Sequence, residues 1–119
     1  MLKILRRFFR ESPRIHLRQK SPDNLRDLVG LFDRFLDGTL GYDLEWDDFI
    51  SWSNPNPNIE AIRERIADAE PLFFSKHERD RRQAVGLLLE ERNQAAALIG
   101  LEIRTFKWPE EHLKGLLPD

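Results

Sequence analysis

A chain of 119 residues is long enough to form one domain, which can bury roughly two-thirds of its unfolded surface. It contains no cysteine, which excludes thiol catalysis, disulfide bonds and thiolate metal sites. The formal net charge of −2 is unevenly distributed, since residues 1–20 carry seven Lys or Arg and one Glu, whereas residues 21–70 carry four Arg and twelve Asp or Glu. We therefore expect a single domain over residues 1–119, with a basic N-terminal segment at 1–20 and an acidic centre.

The basic N-terminal segment begins with MLKILRRFFR, in which apolar and basic residues occupy opposite sides of a predicted helix. Such a helix could dock on the core or lie on an anionic membrane surface. The segment is too short and too charged to span a membrane or to act as a secretory signal. Because the acidic centre would repel phosphate, we expect no nucleic-acid partner.

The first strong helix signal begins at Ser21, a predicted N-cap, with Pro22 at the first helical position. Gly38 is the predicted stop. The apolar stripe between them consists of Leu25, Leu28, Val29, Phe32, Phe35 and Leu36.

A further helix and an apolar turn are predicted downstream. Pro57 can open one that ends before Pro71, with Ile59, Ile62 and Ile66 spaced for burial. The apolar residues 71–74 predict a turn across the core.

Ser75 and Glu78 match a capping box, so we expect a long helix that begins near Lys76 and ends at Gly100. Its predicted packed stripe is Val85, Leu88, Leu89, Arg92, Ala96 and Ile99, with the stem of Arg92 covering apolar surface. Residues 101–108 alternate weakly, and residues 109–115 predict a closing turn or short helix. These elements together predict an all-α fold, an irregular antiparallel bundle of four to five helices.

Residues 41–52, GYDLEWDDFISW, which we call the acidic-aromatic segment, combine four aromatic and four acidic residues. Their spacing predicts a short helix with Asp43 as its N-cap, aromatic residues facing inward and carboxylates facing outward. An outward acidic face with aromatic anchors would attract and hold a cationic partner. The candidate partner-binding residues are Tyr42, Asp43, Glu45, Asp47, Asp48 and Trp52.

Catalytic motifs are absent from the sequence, which has no phosphate loop, no nucleophile elbow and no dinucleotide-binding fingerprint. His16, His77 and His112 are far apart and lack metal-ligand spacing, and the acidic-aromatic segment does not match a calcium-binding loop. Glu45 and Asp48 could form an acid–base pair, but carboxylates at this spacing are more often a solvated face. We expect no enzymatic activity, no cofactor and no metal.

The run from Leu25 to Trp52 resembles the opening of small bacterial immunity proteins of the colicin D type and of related polymorphic-toxin immunity domains. The residues that carry the resemblance are Phe32, Phe35, Leu36 and Gly38, followed by Glu45, Trp46 and Phe49. Residues 71–80, PLFFSKHERD, look like a later apolar segment of these proteins. The resemblance covers roughly residues 25–80. It implies an all-helical protein that binds a cognate toxin in the cytoplasm of the producing cell and blocks its active site or substrate groove.

Two functions follow as hypotheses. The first is neutralisation of a protein toxin with a basic surface, such as a nuclease, whose cationic groove the acidic face would fill in place of phosphate. The alternative is a structural or regulatory adaptor that docks on a membrane or a larger complex through the basic N-terminal segment. The sequence determines neither the partner's identity nor the oligomeric state.

Overall fold

The computed structural model describes residues 22–41 and 44–106, and within these ranges every regular element is a helix. The helices are α1 (Leu25–Asp37), α2 (Glu45–Ser51), α3 (Pro57–Asp68), α4 (Glu70–Phe73) and α5 (Glu78–Leu98). The predicted all-α bundle is therefore confirmed. The predicted N-terminal amphipathic helix and the predicted closing turn at 109–115 lie outside the described residues.

Helix α1 begins at Leu25, three residues after Pro22, the predicted first helical position. Its N-cap is Asn24, whose side-chain oxygen accepts a hydrogen bond from the Asp27 amide at 2.8 Å. Pro22 and Asp23 precede the helix, so the predicted start with Pro22 at the first helical position is wrong. The predicted stop is confirmed, because Gly38 adopts the left-handed conformation with φ 74°.

Helices α3 and α4 follow from the prolines and apolar residues of this region. Pro57 opens α3, and the Asn56 side chain caps it by accepting hydrogen bonds from the Asn58 and Ile59 amides. The predicted inward stripe of α3 is confirmed, because Ile59, Ile62 and Ile66 are buried. The segment 71–74 was predicted as a turn, but its first three residues belong to the one-turn helix α4 and Phe74 is the C-cap. Phe73 is completely buried.

Helix α5 begins at Glu78 after the N-cap residue His77, so the predicted capping box is wrong. The Ser75 hydroxyl accepts a hydrogen bond from the His77 amide at 3.0 Å and donates one to Asp80 Oδ2 at 2.7 Å. This serine therefore shapes the turn before the helix. The predicted end is close to the observed one, since the chain leaves α5 at Leu98 and turns at Gly100, where φ is 76°.

The core lies between α1 and α5, which form the most extensive helix pair in the described part of the chain. The other three helices close it from the sides, with α4 packed on α5 and α2 packed on α3. Beyond Gly100, residues 101–106 run without helical structure, and the partly buried Leu101 and Phe106 pack against the core. This arrangement leaves one side of α5 facing solvent.

Candidate functional site

The acidic-aromatic segment forms α2 and supplies part of the hydrophobic core. Its Trp46 and Phe49 join Phe32, Phe35 and Phe73 in one aromatic cluster. The Trp46 ring centroid lies 4.3 Å from that of Phe35 and 5.9 Å from that of Phe73. These spacings are typical of stabilising aromatic pairs. The inward orientation predicted for Trp46 and Phe49 is confirmed, and both residues serve the fold.

The prediction that the carboxylates of this segment face outward is wrong for Glu45, Asp47 and Asp48. Their exposed fractions are 7 %, 3 % and 1 %, values typical of core residues. The physical reason is that a seven-residue helix can be covered on every side, and all residues from Glu45 to Ile50 are buried. An alternating pattern predicts an exposed polar side only where one face of the helix remains in water.

Glu45 has a structural role. Its Oε1 accepts a hydrogen bond from the Gly41 amide at 2.6 Å, and its Oε2 accepts one from Arg34 Nη2. The carboxylate thus ties the end of α1 and the connecting loop to the start of α2. Glu45 is therefore occupied within the protein.

Of the three remaining predicted site residues, the structure describes one. Trp52 is half-buried at the C-cap of α2. Tyr42 and Asp43 lie outside the described residues, as does the predicted capping role of Asp43. Because Glu45, Asp47 and Asp48 are buried, the described part of the acidic-aromatic segment forms no exposed acidic surface. A surface for a partner is therefore sought on another helix.

A polar network that sequence reasoning missed joins α1, α5 and residues 101–106. Arg92, predicted to pack through its stem, is buried, and its guanidinium donates to both Asp33 carboxylate oxygens at 3.0 and 3.2 Å. Arg104 donates to Asp33 at 2.8 Å and to Asp37 at 2.5 Å. Burial acts to raise the pKa of Asp33, but hydrogen bonds and charge from Arg92 and Arg104 outweigh it and hold that pKa below its usual value.

The same network fixes the backbone of residues 101–106. Arg92 donates to the Glu102 carbonyl at 2.6 Å. The Asn93 side chain accepts from the Arg104 amide and donates to the Arg104 carbonyl, both at 2.9 Å. The Arg92–Asp33 and Arg104–Asp37 partners are 59 and 67 positions apart in the chain, so no local pattern reveals them. The one available signal was a charged residue, Arg92, within an apolar stripe.

The exposed side of α5 carries Leu87 and Leu98, the two large hydrophobic residues that are exposed on a helix in the described part of the chain. We call it the α5 outer stripe, defined by Gln83, Gly86, Leu87, Glu90, Gln94, Ala97 and Leu98, all exposed and repeating at helical spacing. Leu98 is 77 % exposed and Leu87 is 38 % exposed. No atom lies within 4 Å of a Cβ placed on Gly86, so the stripe is open at its N-terminal half.

Within the described ranges, no cluster of three or more His, Asp or Glu side chains is placed to hold a metal ion. His77 is exposed at the N-cap of α5, while His16 and His112 lie outside these ranges. In the same part of the chain, no helix has the length and apolar character required to cross a membrane. Glu45 and Asp48, the candidate acid–base pair, are both buried in the packed α2.

Comparison with known proteins yields no match to a family model, a curated protein or a solved structure.

Proposed function

We propose that this chain is a non-enzymatic protein-binding domain that engages its partner through the α5 outer stripe. The observation that carries the proposal is Leu98, a large apolar side chain with 77 % of its surface in water at the end of a well-packed helix. Exposed apolar side chains that form a continuous surface are characteristic of protein contact sites. The stripe carries a second exposed leucine, Leu87, about three turns before Leu98 on the same side of α5, with Glu90 and Gln94 between them.

The composition of the stripe favours a partner whose contact surface has an apolar centre and basic residues around it. Leu87, Ala97 and Leu98 provide apolar contact area, and Gly86 permits a partner to approach the helix backbone closely. Glu90 is the single charged residue of the stripe and forms no ion pair with any described residue. The negative end of the α5 macrodipole lies at the same end of the helix as Leu98. Glu90 and the negative end of the helix dipole both favour a cationic surface on the partner.

In its specific form, the proposal is that the chain is an immunity protein that neutralises a cognate bacterial protein toxin in the cytoplasm. The resemblance carried by residues 25–80 supports this form, together with the fit of the stripe to a basic partner. The contact surface differs from the one expected from the sequence, because Glu45, Asp47 and Asp48 are buried. Inhibition would then require the α5 outer stripe to cover the toxin's active site or substrate groove.

The test is affinity capture from the native host with three baits: the unmodified chain, a Leu98→Lys variant and an Ala61→Lys variant. Leu98→Lys removes the apolar contact and places a positive charge against a basic partner. Ala61→Lys places the same charge on the exposed side of α3 and serves as the matched control. We expect a partner that the unmodified chain and Ala61→Lys retain and that Leu98→Lys loses.

A captured protein is then tested for toxicity. Its production should arrest growth of a susceptible bacterium, and co-production of the unmodified chain should restore growth. Retention of the partner by Leu98→Lys would reject the α5 outer stripe as the contact. A captured partner without toxicity would reject the immunity function, and the general proposal of a protein-binding domain would stand.

A further inference from the structure

Residues 101–105 form no regular element, but their hydrogen bonds to α5 follow the pattern of an extended chain, with one edge bonded and the other facing solvent. The backbone groups used inside the protein are the Glu102 carbonyl, bound by Arg92, and the amide and carbonyl of Arg104, bound by Asn93. These groups belong to alternate residues and all point toward α5. Because backbone groups of an extended chain alternate between its two edges, those of Ile103 and Thr105 and the Leu101 carbonyl point away from α5, whereas the Leu101 amide takes part in the turn that ends the helix.

The outward edge is accessible and retains its hydrogen-bonding capacity. Ile103 is 70 % exposed, and Thr105 is exposed as well. Among the described residues, no hydrogen bond uses the amides of Ile103 and Thr105 or the carbonyl of Leu101. The Leu101 amide, by contrast, is already bonded to the Ala96 carbonyl. An exposed row of available backbone donors and acceptors can pair with another extended chain, as the edge of a strand does.

We propose that this edge is a self-association site, at which a second copy of the chain pairs antiparallel across a two-fold axis at Ile103. In this register Ile103 faces its own symmetry mate, and the two residues exchange a pair of backbone hydrogen bonds. Each Thr105 amide reaches the Leu101 carbonyl of the other copy, which adds two more bonds. The register uses only the donors and acceptors that the single chain leaves available.

Charge complementarity selects this register over its neighbours. It places Glu102 of each copy directly opposite Arg104 of the other, in the narrow pairs where cross-strand side chains are closest. The Glu102 carboxylate forms no ion pair with any described residue. Arg104 uses Nη1 for Asp33 and Nη2 for Asp37, which leaves its Nε–H for this contact. The two ion pairs then lie on one face of the paired segments, and the two Ile103 side chains meet on the other face.

A register with the two-fold axis at Arg104 instead of Ile103 loses the Glu102–Arg104 pairs. Pairing Ile103 with Thr105 of the second copy brings the two Arg104 residues directly opposite each other, and like charges in that position are destabilising. The two-fold axis at Ile103 is therefore the pairing that the chemistry of residues 101–105 favours.

The absence of cysteine from the chain allows a direct test of the register by disulfide formation. The two Ile103 Cα atoms would lie about 5.5 Å apart, a separation that a disulfide bridges. The two Thr105 Cα atoms would lie on the order of 13 Å apart, which a disulfide cannot bridge. We expect the Ile103→Cys variant to form a disulfide-linked dimer in a glutathione redox buffer and the Thr105→Cys variant to remain mostly unlinked. Equal cross-linking of the two variants would overturn the register.

A second experiment tests the backbone pairing without cysteine. Thr105→Pro removes an amide that the monomer does not use, and Thr105→Ala removes the side chain but retains that amide. By sedimentation equilibrium, the unmodified chain and Thr105→Ala should dimerise with similar dissociation constants. Thr105→Pro should raise the constant by about tenfold or more, because two of four backbone bonds are lost. A monomeric unmodified chain at all accessible concentrations would overturn the proposal, and so would equal dimerisation of the two variants. Neither result depends on the α5 outer stripe or on a toxin.

Discussion

Single residues show most clearly where the sequence pattern misleads. The acidic-aromatic segment has the composition of a recognition surface, yet Asp48 is among the most deeply buried side chains described. Composition could identify Trp46 and Phe49 as core residues because large aromatic side chains are rarely left in water without a partner. It could not place Glu45, because the groups that bind it, Arg34 and the Gly41 amide, come from the end of α1 and from the connecting loop.

Glu45→Gln tests the structural role of this carboxylate. The variant weakens the charge-assisted bond to Arg34 while retaining the side-chain shape. Because Arg34 is partly exposed, we expect a loss of about 1–2 kcal/mol in the free energy of unfolding, measured by urea denaturation. Glu64→Gln is the matched control on the exposed side of α3 and should change stability by less than about 0.5 kcal/mol. Equal effects would show that Glu45 behaves as a surface residue.

Trp46→Ala tests the aromatic cluster. Removal of a buried indole that contacts four other rings should cost about 3–5 kcal/mol in the free energy of unfolding. Trp46→Phe should cost much less, because it keeps an aromatic ring and the indole Nε1 has no hydrogen-bond partner within the described part of the chain. A small loss in both variants would place Trp46 outside the core.

Asp33→Asn tests the network that fixes residues 101–106. Because the pKa of Asp33 is lower in the folded chain, the unfolded chain binds this proton more readily. The interaction therefore stabilises the protein above the unfolded pKa, about 4, and this contribution is lost as the pH falls through the lower folded pKa. Urea denaturation over the acid range should show a shallower decline of stability for Asp33→Asn. Glu60, whose pKa is also lowered, is unchanged in both proteins and contributes equally. Parallel pH profiles would mean that Asp33 is not coupled to its arginines.

At the scale of the helices, a boundary was predicted well where the properties of a single residue determine it. Gly38 ends α1 and Pro57 begins α3, because left-handed geometry and a missing amide are properties of those residues themselves. Starts that depend on a side-chain oxygen were predicted less well. Ser21 and Asn24 are both competent caps by type, and the structure uses Asn24. Ser75 has the spacing of a capping box, yet its hydroxyl bonds to Asp80 and the His77 amide.

Two glycines near α5 should respond in opposite directions to alanine. Gly86 lies inside the helix with open space around its Cβ position, so Gly86→Ala should stabilise the protein by about 0.5–1 kcal/mol. Gly100 has φ 76°, and Gly100→Ala should destabilise it by about 1 kcal/mol because that conformation is strained for alanine. Thermal unfolding followed by circular dichroism measures both. A loss of stability in Gly86→Ala would mean that the glycine is required within the single chain.

The whole molecule could be predicted as an all-α bundle, because amphipathic periods and caps act locally and add up along the chain. The exposed surface could not be predicted in the same way. It depends on which sides of the helices the bundle covers. In α2 every residue from Glu45 to Ile50 is buried, whereas α5 keeps two leucines in water. The surface available to a partner is therefore a property of the packing.

Hydrogen–deuterium exchange of the chain with and without its captured partner shows in one measurement whether the α5 outer stripe or the acidic-aromatic segment is the contact. If the α5 outer stripe is the contact, the partner should slow exchange of amides across residues 83–98 and leave those of residues 45–51 unchanged. Slower exchange confined to residues 45–51, with residues 83–98 unaffected, would contradict the account and return the acidic-aromatic segment to the role that its composition first indicated.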